Sequence, residues 1–377
     1  MASPIRVLEL LVTTSPGGGP KQVYDLVRHL PRDEFQFVVV GPRDGVFFER
    51  FEDLSVQVEE LPVRRLGMRH LLSTIRLIRA QGVQLVHTHG KGPGLYGRLA
   101  AWWTGVPSVH TFHGIHYSGY SRLGQRLYLA LERRLCRLTH TIINVSAAQE
   151  AEGLSLRLFR ASQSAVIVNG IDFEEMDRII ATAPIRRDSL GLTADDLMLG
   201  CVTRFDPIKR VETLLRAFEL LAPRIPRLTL LLVGGGGEEE RIRRLVARMG
   251  LGKQVIFTGF LENSVQIYPA LDLYVATSLK EGLPLSLVEA MGAGLAVVAT
   301  DVPGHRDVVV HGETGLLVPA GNPAALADAI AGLLADPERR RRLGEAGRQR
   351  ALKEFSVRPM VAGTAEVYRR AIALGRR

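Results

Sequence analysis

The stretch Leu228-Thr-Leu-Leu-Leu-Val-Gly-Gly-Gly-Gly237 places four glycines directly after a continuous apolar run, and three glutamates follow it. An apolar run without alternation is typical of a strand that is buried on both faces, as in a parallel sheet. The glutamates predict the first turn of a helix, where carboxylates are favourable and would repel a phosphate. The stretch therefore indicates a strand–loop–helix unit whose glycine loop packs closely beside a ligand.

Units of the same kind recur on both sides of this stretch. Four neighbouring apolar runs each precede a helix-like segment: Leu197–Thr203, Val255–Thr258, Leu273–Thr277 and Leu295–Ala299. An earlier series consists of Arg6–Val12, Phe35–Val40, Val83–Val86, Ser108–Thr111 and Thr141–Val145. Such alternation is typical of parallel strands joined by right-handed crossovers, so we predict two doubly wound α/β sheets.

The length of the chain and one turn locate the domain boundary. A chain of 377 residues is too long for one core, because single cores stop growing near roughly 250–300 residues. The Asn-Gly of Val168-Asn-Gly-Ile-Asp172 is turn chemistry between the two series. We expect one Rossmann-like domain over 1–171, a second over 172–355 and a final helix over 356–377.

Composition argues against a membrane-spanning or secreted protein. No run of about 18 uncharged apolar residues occurs, and Met1-Ala-Ser-Pro-Ile-Arg6 lacks the basic and apolar regions of a secretory leader. We therefore expect a cytoplasmic protein. The two cysteines, Cys136 and Cys201, have no metal-like spacing, and we expect them to be reduced, buried and inert.

The positive charge is concentrated in the first half of the chain. The net charge is +9, of which residues 1–170 contribute +7, from 20 Lys+Arg and 13 Asp+Glu. Such a surface attracts nucleic acid, anionic membrane or phosphorylated ligands, and charge alone does not choose among them. The Arg-rich segment Ser121–Leu138 fits a helix lying on an anionic bilayer and, slightly better, a core-packed helix with a solvated face. Its apolar residues at helical spacing are Leu123, Leu127, Tyr128, Leu131, Leu135 and Leu138.

Two segments that follow predicted strands could hold an anion, since ligands of parallel sheets bind beyond the carboxyl ends of strands. Ser15-Pro-Gly-Gly-Gly-Pro-Lys21 leads into a helix with Pro20 near its first position, although a flexible turn explains it equally well. Arg204-Phe-Asp-Pro-Ile-Lys209 brings cations to a helix start, where they are unfavourable unless an anion binds. Phosphate is the natural candidate, and solvated surface charge is the alternative.

The segment Glu281-Gly-Leu-Pro-Leu-Ser-Leu-Val-Glu289 carries two glutamates around a predicted helix start. With Pro284 as the first helical residue, Glu289 lies about 7.5 Å along the axis. That separation is too large for the roughly 5 Å pair of a retaining glycosidase and suits two sites on one elongated ligand. Free backbone N–H groups at 282–285 could bind a diphosphate between them. A solvated acidic pair is the ordinary alternative.

Histidines follow two strands of the first series, in His87-Thr-His89 and His110-Thr-Phe-His113. We expect no metal site, because no acidic or cysteine partner falls at ligand spacing and no D-x-D segment occurs. His113, in the loop just past its strand, is the best placed to contact a ligand hydroxyl or a developing charge.

Together these segments make the chain similar to the retaining nucleotide-sugar glycosyltransferases of family four, which have the GT-B fold. The resemblance spans essentially the whole chain and rests on an ordered series of weak motifs: Gly17–Gly19, Val168–Asp172, Arg204 with Lys209, Gly234–Gly237, Thr258–Phe260, Glu281–Glu289 and Gly312–Pro319. It implies two Rossmann-like domains that face each other across a cleft, with the last helix crossing back to the N-domain. The N-domain would bind the acceptor and the C-domain the nucleotide sugar.

The resemblance also implies a role for each candidate residue. The catalytic group would comprise Arg204 and Lys209 on the diphosphate, Glu281 on the transferred sugar and His113 at the transition state. The remaining donor contacts would come from Glu289 on the ribose, from the phosphate-binding backbone of Gly282, Leu283, Pro284 and Leu285, from the base-binding backbone of Gly259, Phe260 and Leu261, and from Gly18, Gly19 and Gly235 beside the phosphates.

Members of the family need neither a metal nor another cofactor, which agrees with the absent D-x-D segment. They transfer a hexose-type sugar from UDP or GDP with retention, by front-face substitution. Details such as His87–Lys91 and Thr111–Gly114 resemble members that build bacterial surface polysaccharides or glycolipids on glycan or lipid-linked acceptors. The resemblance thus implies peripheral contact with the cytoplasmic face of an anionic inner membrane, and no nucleic-acid partner.

Two alternatives remain at this point. A UDP-sugar 2-epimerase has the same architecture but needs carboxylates for proton abstraction, where the N-domain strands offer histidines. A non-catalytic basic module for membrane or nucleic acid would fit the charge, but the sequence has no recognisable nucleic-acid motif with interleaved aromatic residues.

Overall fold

The computed structural model describes residues 3–61, 67–115, 117 and 119–375. The chain divides into two compact units, one made of Met1–Gly170 with Val357–Arg377 and the other of Ile171–Ser356. Each unit is built around one parallel sheet, so the predicted pair of doubly wound sheets is confirmed.

The sheet of the first unit has seven strands in the order β3-β2-β1-β4-β5-β6-β7. Their bounds are β1 Ile5–Leu10, β2 Phe35–Gly41, β3 Gln57–Glu60, β4 Leu85–His89, β5 Ser108–Phe112, β6 Thr141–Asn144 and β7 Ser164–Val166. The five central strands are those that the apolar runs predict. The apolar runs do not predict β3 and β7, because both are short, half-exposed edge strands without such a run.

Within the described residues of this unit, six α-helices connect the strands: α1 Gly18–His29, α2 Phe47–Asp53, α3 Met68–Ala80, α4 Lys91–Thr104, α5 Arg122–Arg137 and α6 Ala147–Ser155. Local chemistry fixes their ends. The Ser121 and Ser146 hydroxyls accept hydrogen bonds from backbone N–H groups at the starts of α5 and α6. Gly105 ends α4 in the left-handed conformation, with φ of 72°.

The apolar residues of α5 do not form the single face that their spacing indicates. Leu135 is buried, whereas Leu123, Leu127 and Leu131 are 66%, 64% and 43% exposed. The buried face instead includes Glu132, whose carboxylate pairs with Arg98 at 2.8 Å. The preference for a core-packed apolar face is therefore wrong for half of this helix. No helix within the described ranges has the length and apolar character to cross a bilayer.

The sheet of the second unit has six strands in the order β10-β9-β8-β11-β12-β13. The strands are β8 Leu197–Val202, β9 Leu228–Val233, β10 Val255–Gly259, β11 Leu273–Ala276, β12 Val297–Thr300 and β13 Leu316–Val318. The helices are α7 Phe173–Thr182, α8 Val211–Leu221, α9 Glu239–Arg248, α10 Leu285–Gly292, α11 Pro303–Val308, α12 Pro323–Ala335 and α13 Pro337–Glu354. Strand β9, from the opening stretch, lies fully buried in this core.

The last helix, α14 Val357–Gly375, belongs to the first unit, as expected. Its Tyr368 is fully buried and meets Phe35 edge-on, with ring centroids 5.7 Å apart. Arg369 forms a two-pronged ion pair with Glu34 at 2.6 and 2.7 Å. Apolar packing and charge therefore both hold the C-terminal helix against the N-terminal sheet.

Both cysteines, Cys136 and Cys201, are buried and free. Burial raises the pKa of each thiol to about 12. Neither thiol ionises near neutral pH, so neither supplies a nucleophile.

Candidate functional site

In each sheet, chain order reverses between two neighbouring strands, β1 and β4 in the first unit and β8 and β11 in the second. Ligands of open parallel sheets bind beyond the carboxyl ends of strands at such points. The predicted site residues Lys209 and Glu281 follow β8 and β11, and His113 follows β5, next to β4.

The structure brings Lys209 and Glu281 together. The Lys209 ammonium lies 2.6 Å from Glu281 Oε1, and both side chains are mostly buried, at 21% and 13% exposure. The Ser278 hydroxyl donates to the same carboxylate oxygen at 2.6 Å. The Thr277 hydroxyl donates to the Lys209 carbonyl at 2.9 Å. A cation and a carboxylate are thus fixed at one strand edge, held by two hydroxyls that the sequence analysis missed.

The loop that carries Lys209 has a constrained backbone. Arg210, which precedes α8, adopts the left-handed conformation with φ of 50°. That conformation costs a non-glycine residue about 1–2 kcal/mol. The surrounding contacts, including the bond from Thr277, must therefore hold the loop in place.

Arg204 is largely exposed to solvent. Its side chain is 70% exposed, and its guanidinium pairs with Asp206 at 2.8 Å. Because the guanidinium of this pair is largely exposed, the pair contributes little to stability, and the Arg204 guanidinium can exchange Asp206 for another anion. The structure places Arg204 in the same loop as Lys209 and pairs it with a different carboxylate.

Pro284 is the residue before α10, so its expected position as the first helical residue is wrong. The helix begins at Leu285, and Glu289 is its fifth residue, about 6 Å from the start along the axis. The Tyr268 hydroxyl donates to Glu289 Oε2 at 3.0 Å. Burial and the Glu289 charge raise the pKa of Tyr268 well above its usual value, so the hydroxyl keeps its proton and remains a donor.

Two further buried residues lie behind the start of α10 and α11. The Tyr274 hydroxyl is 2.9 Å from Ser286 Oγ and 3.1 Å from the Val202 carbonyl. His305 donates from Nδ1 to the Thr300 carbonyl at 2.7 Å, and its Nε2 has no hydrogen-bond partner among the described residues. Tyr274 lies on β11 and His305 on α11, and no sequence spacing links them to the glutamates.

The glycine run packs against the loop that carries Arg204. At Gly234, φ is 123° and a Cβ would lie 2.0 Å from the Thr203 carbonyl oxygen; at Gly236, φ is 150° and a Cβ would lie 2.6 Å from that of Phe205. Gly235 accepts a hydrogen bond from the Phe205 N–H at 2.8 Å. The glycines are therefore required by backbone contact between two loops.

The loop after β10 joins the same group. Gly259 has φ of 69°, and its carbonyl accepts from the Gly234 N–H at 2.9 Å. Phe260 follows with 53% exposure, and Leu261 is half-buried. The three loops after β8, β9 and β10 thus form one continuous edge.

In the first unit, the structure places Gly19 against His113. A Cβ at Gly19 would lie 3.4 Å from Cδ2 and Nε2 of the His113 ring. Helix α1 begins at Gly18, so Pro20 is its third residue. The predicted glycine turn and the predicted histidine therefore share one location.

Behind His113 lies a buried polar cluster that the sequence analysis missed. His89 Nδ1 is 3.1 Å from His113 Nε2, and its Nε2 is 2.8 Å from Glu9 Oε2. The Tyr368 hydroxyl donates to Glu9 Oε1 at 2.6 Å. The histidines therefore do have an acidic partner, contrary to expectation, because Glu9 lies on β1, directly beside His87 of β4.

The cluster contains a donor set that a metal could use, since Glu9, His87 and His89 place one ligand atom each within 4.8 Å of one another. However, Glu9 Oε2 lies 2.8 and 3.2 Å from the two imidazoles, which are hydrogen-bond distances. His87 has further partners in Tyr368 at 2.6 Å and Thr111 at 2.8 Å. Hydrogen bonds therefore occupy the atoms of this cluster that could bind a metal. Metal independence stays a prediction.

Two protein-family models match this sequence. The model described as Glycosyltransferase Family 4 matches residues 16–175, and the model described as Glycosyl transferases group 1 matches residues 183–350. D-inositol 3-phosphate glycosyltransferase 2 of Catenulispora acidiphila is 32% identical to this chain over 92% of it and 81% of the relative.

Two further proteins are similar over most of their length. The UDP-Gal:alpha-D-GlcNAc-diphosphoundecaprenol alpha-1,3-galactosyltransferase of Escherichia coli is 26% identical over 77% of each chain. The crystal structure of Anabaena HepE in complex with UDP and glucose has a TM-score of 0.85 and 25% identity, covering 97% of this chain and 100% of that one.

Proposed function

Since this chain belongs to the family-four glycosyltransferases, which have the GT-B fold, we propose that it transfers a hexose-type sugar from a UDP- or GDP-linked donor, with retention. The observation that carries the proposal is the Lys209–Glu281 pair, a cation 2.6 Å from a carboxylate at the edge of the second sheet. A nucleotide sugar has a diphosphate for the cation and sugar hydroxyls for the carboxylate. The UDP and glucose in the HepE complex are consistent with such a donor.

The donor binds the second unit, and each loop at its sheet edge takes one part of it. Lys209 binds the diphosphate, with Arg204 exchanging Asp206 for a phosphate oxygen. Glu281 binds the transferred sugar and Glu289 the ribose. The backbone contacts come from Gly282, Leu283, Pro284 and Leu285 on phosphate, from Gly259, Phe260 and Leu261 on the base, and from Gly235.

The chemistry follows from charge. As the anomeric bond breaks, negative charge moves onto the departing diphosphate, and a fixed ammonium stabilises it more in the transition state than in the bound donor. Lys209 can serve the diphosphate while keeping Glu281, because an ammonium has three donors. No other cofactor is required, since the phosphates themselves activate the sugar.

The first unit supplies the acceptor site and the remaining groups. The N–H groups of Gly18 and Gly19 at the start of α1 bind phosphate. His113 meets the donor sugar as it develops oxocarbenium character. The acceptor hydroxyl attacks on the face that the diphosphate leaves and gives its proton to the departing phosphate oxygen, so configuration is retained.

Nucleotide binding tests this proposal. We expect UDP or GDP, with a chelator present, to raise the thermal unfolding temperature by several degrees, because a ligand that binds only the folded state stabilises it by mass action. Glu289→Ala and Lys209→Ala are expected to lose that rise. Glu219→Ala, an exposed acid on α8, is the matched control and should keep it. An undiminished rise in both site variants would contradict the assigned contacts. Independently of that result, a screen of nucleotide sugars for hydrolysis would identify the donor.

For the acceptor, we propose a lipid-linked glycan at the cytoplasmic face of an anionic membrane, in surface polysaccharide or glycolipid synthesis. The diphosphoundecaprenol in the name of the Escherichia coli relative supports this chemistry. The surface that meets the bilayer is the exposed face of α5, defined by Leu123, Leu127 and Leu131 together with Arg122, Arg126, Arg134 and Arg137.

This face has the composition of an interfacial helix. The three leucines recur every four residues and so form one line along the helix. Exposed arginines flank them, and the only acidic residue of α5, Glu132, is buried in its pair with Arg98. Exposed leucines favour the apolar boundary of a bilayer, and arginines favour its anionic headgroups, by about 1 kcal/mol each.

Vesicle flotation tests the α5 face. Binding is expected to phosphatidylcholine vesicles that contain phosphatidylglycerol, to weaken with salt, and to be negligible on phosphatidylcholine alone. Replacing the three leucines by serine should lower the vesicle affinity at least tenfold, because each buried leucine contributes about 1.5–3 kcal/mol. Serines at Leu220, Leu352 and Leu374, exposed on other helices, should change little. Equal affinity of the two triple variants would remove α5 from the membrane contact.

A further inference from the structure

An unbroken line of hydrogen bonds runs from the last helix to His113. It passes from the Tyr368 hydroxyl to Glu9 at 2.6 Å, from Glu9 to His89 at 2.8 Å, and from His89 to His113 at 3.1 Å. Tyr368, Glu9 and His89 are at most 1% exposed. The line therefore joins helix α14 and strands β1 and β4 to the loop after β5, with no solvent in contact with its inner members.

The direction of each hydrogen bond follows from the number of protons available. Burial raises the pKa of the Glu9 carboxyl, but His87 and His89 lower it by more. The pKa therefore lies well below its usual range. Burial lowers the pKa of His89 to about 4, with His87 adding to the shift and Glu9 opposing it. Near neutral pH, an ionised carboxylate thus faces a neutral imidazole.

A carboxylate without a proton can only accept, so the single proton of His89 must lie on Nε2, facing Glu9. His89 Nδ1 is then bare and can only accept. The hydrogen bond to His113 therefore requires a proton on His113 Nε2. Tyr368 completes the arrangement, since its hydroxyl proton occupies the other oxygen of Glu9.

We infer that Glu9, His89 and Tyr368 are positioning residues that fix the ring orientation of His113 and hold its proton on Nε2. The catalytic consequence of this arrangement rests on the proposed function. None of the three touches the donor, because all are buried beneath His113, and each acts through the next.

The arrangement suits a group that meets developing charge. A histidine whose ring is held by a second imidazole, with a carboxylate behind that, keeps one tautomer and loses little orientational freedom on reaching the transition state. Gly19 packs on the same ring and limits its movement. Because Tyr368 lies on α14, docking of the C-terminal helix completes the support of a residue far away in sequence.

Nitrogen NMR tests the tautomer without reference to activity. In the full-length protein with ¹⁵N-labelled histidine, two-bond correlations distinguish Nε2–H from Nδ1–H rings, and His89→Asn and His113→Asn assign the signals. We expect His89 to be neutral and protonated on Nε2. A proton on His89 Nδ1, or a doubly protonated His89 near neutral pH, would overturn the inference even in an active enzyme.

Kinetics test the consequence, with hydrolysis of UDP-glucose as the first probe and other nucleotide sugars after it. His89→Leu is expected to lower kcat about a hundredfold, with the donor KM within about threefold, because a misplaced group loses transition-state contact. His89→Asn should restore most of kcat, since the Asn Oδ1 occupies the place of Nδ1 and accepts from His113.

The control is His110→Leu, the same change in a buried histidine whose Nδ1 is 2.8 Å from Thr88 Oγ1. Thr88 alternates with His87 and His89 and so lies on the opposite face of the sheet. This variant should lose stability yet keep kcat within about threefold. Equal kcat in His89→Leu and His110→Leu would mean that the hydrogen-bonded line stabilises the fold and does not position His113 for catalysis. If no nucleotide sugar is hydrolysed, the proposed function fails while the NMR result still decides the inference.

Discussion

Lys209→Met is expected to lower the rate of donor cleavage about a thousandfold. The substitution removes the ammonium that we place on the departing diphosphate, and loss of one fixed charge of this kind costs about 4 kcal/mol in the transition state. It also leaves Glu281, 13% exposed, with the Ser278 hydroxyl and without its cation. The measurement is the single-turnover rate of nucleotide-sugar cleavage at saturating donor.

Lys253→Met separates this effect from a general loss of positive charge. Lys253 is exposed, and it precedes β10 at the amino end of that strand, away from the candidate site. The control should cleave donor at the wild-type rate. A Lys209→Met enzyme that is folded and retains more than about a third of that rate would show that Lys209 does not stabilise the leaving group.

Lys209 and Glu281 could be predicted from the sequence because local patterns carry them. Each follows an apolar strand by a few residues, and parallel strands bring their carboxyl ends to one edge. The same logic located His113 after β5. The core strands could be predicted for a related reason, since burial on both faces leaves a continuous apolar run.

Glu9 shows why the rest could not be predicted. It is the fifth of the six residues of β1, where alternation and apolar runs give no sign that its carboxylate meets His87, 78 residues later. The cluster forms through the register of β1 and β4 and through the packing of α14 on the first unit. Both are features of tertiary structure. The exposure of Leu123 and Leu127 has the same origin, because packing decides which side of a helix with two apolar stripes is buried.

Gly234→Ala is expected to destabilise the second unit by about 3–5 kcal/mol. A φ of 123° is open to glycine and costs other residues about 1–3 kcal/mol, and a Cβ 2.0 Å from the Thr203 carbonyl forces the backbone apart at a further cost of about 1–3 kcal/mol. For a unit of this size each kcal/mol lowers the unfolding temperature by roughly 2–4 °C. Thermal unfolding followed by circular dichroism measures the change.

Gly237→Ala, three residues along the same loop, isolates the cause. The φ of Gly237 lies outside the left-handed region, and no atom among the described residues lies within 4 Å of a Cβ placed there. This control should unfold within about 2 °C of the wild type. The clash at Gly234 also displaces Thr203, which precedes Arg204, so Gly234→Ala should weaken UDP binding as well as stability. Equal unfolding temperatures in the two variants would mean that the glycine run serves the ligand and not the contact between the loops. The predicted destabilisation instead makes the run a structural requirement of the edge that carries Lys209.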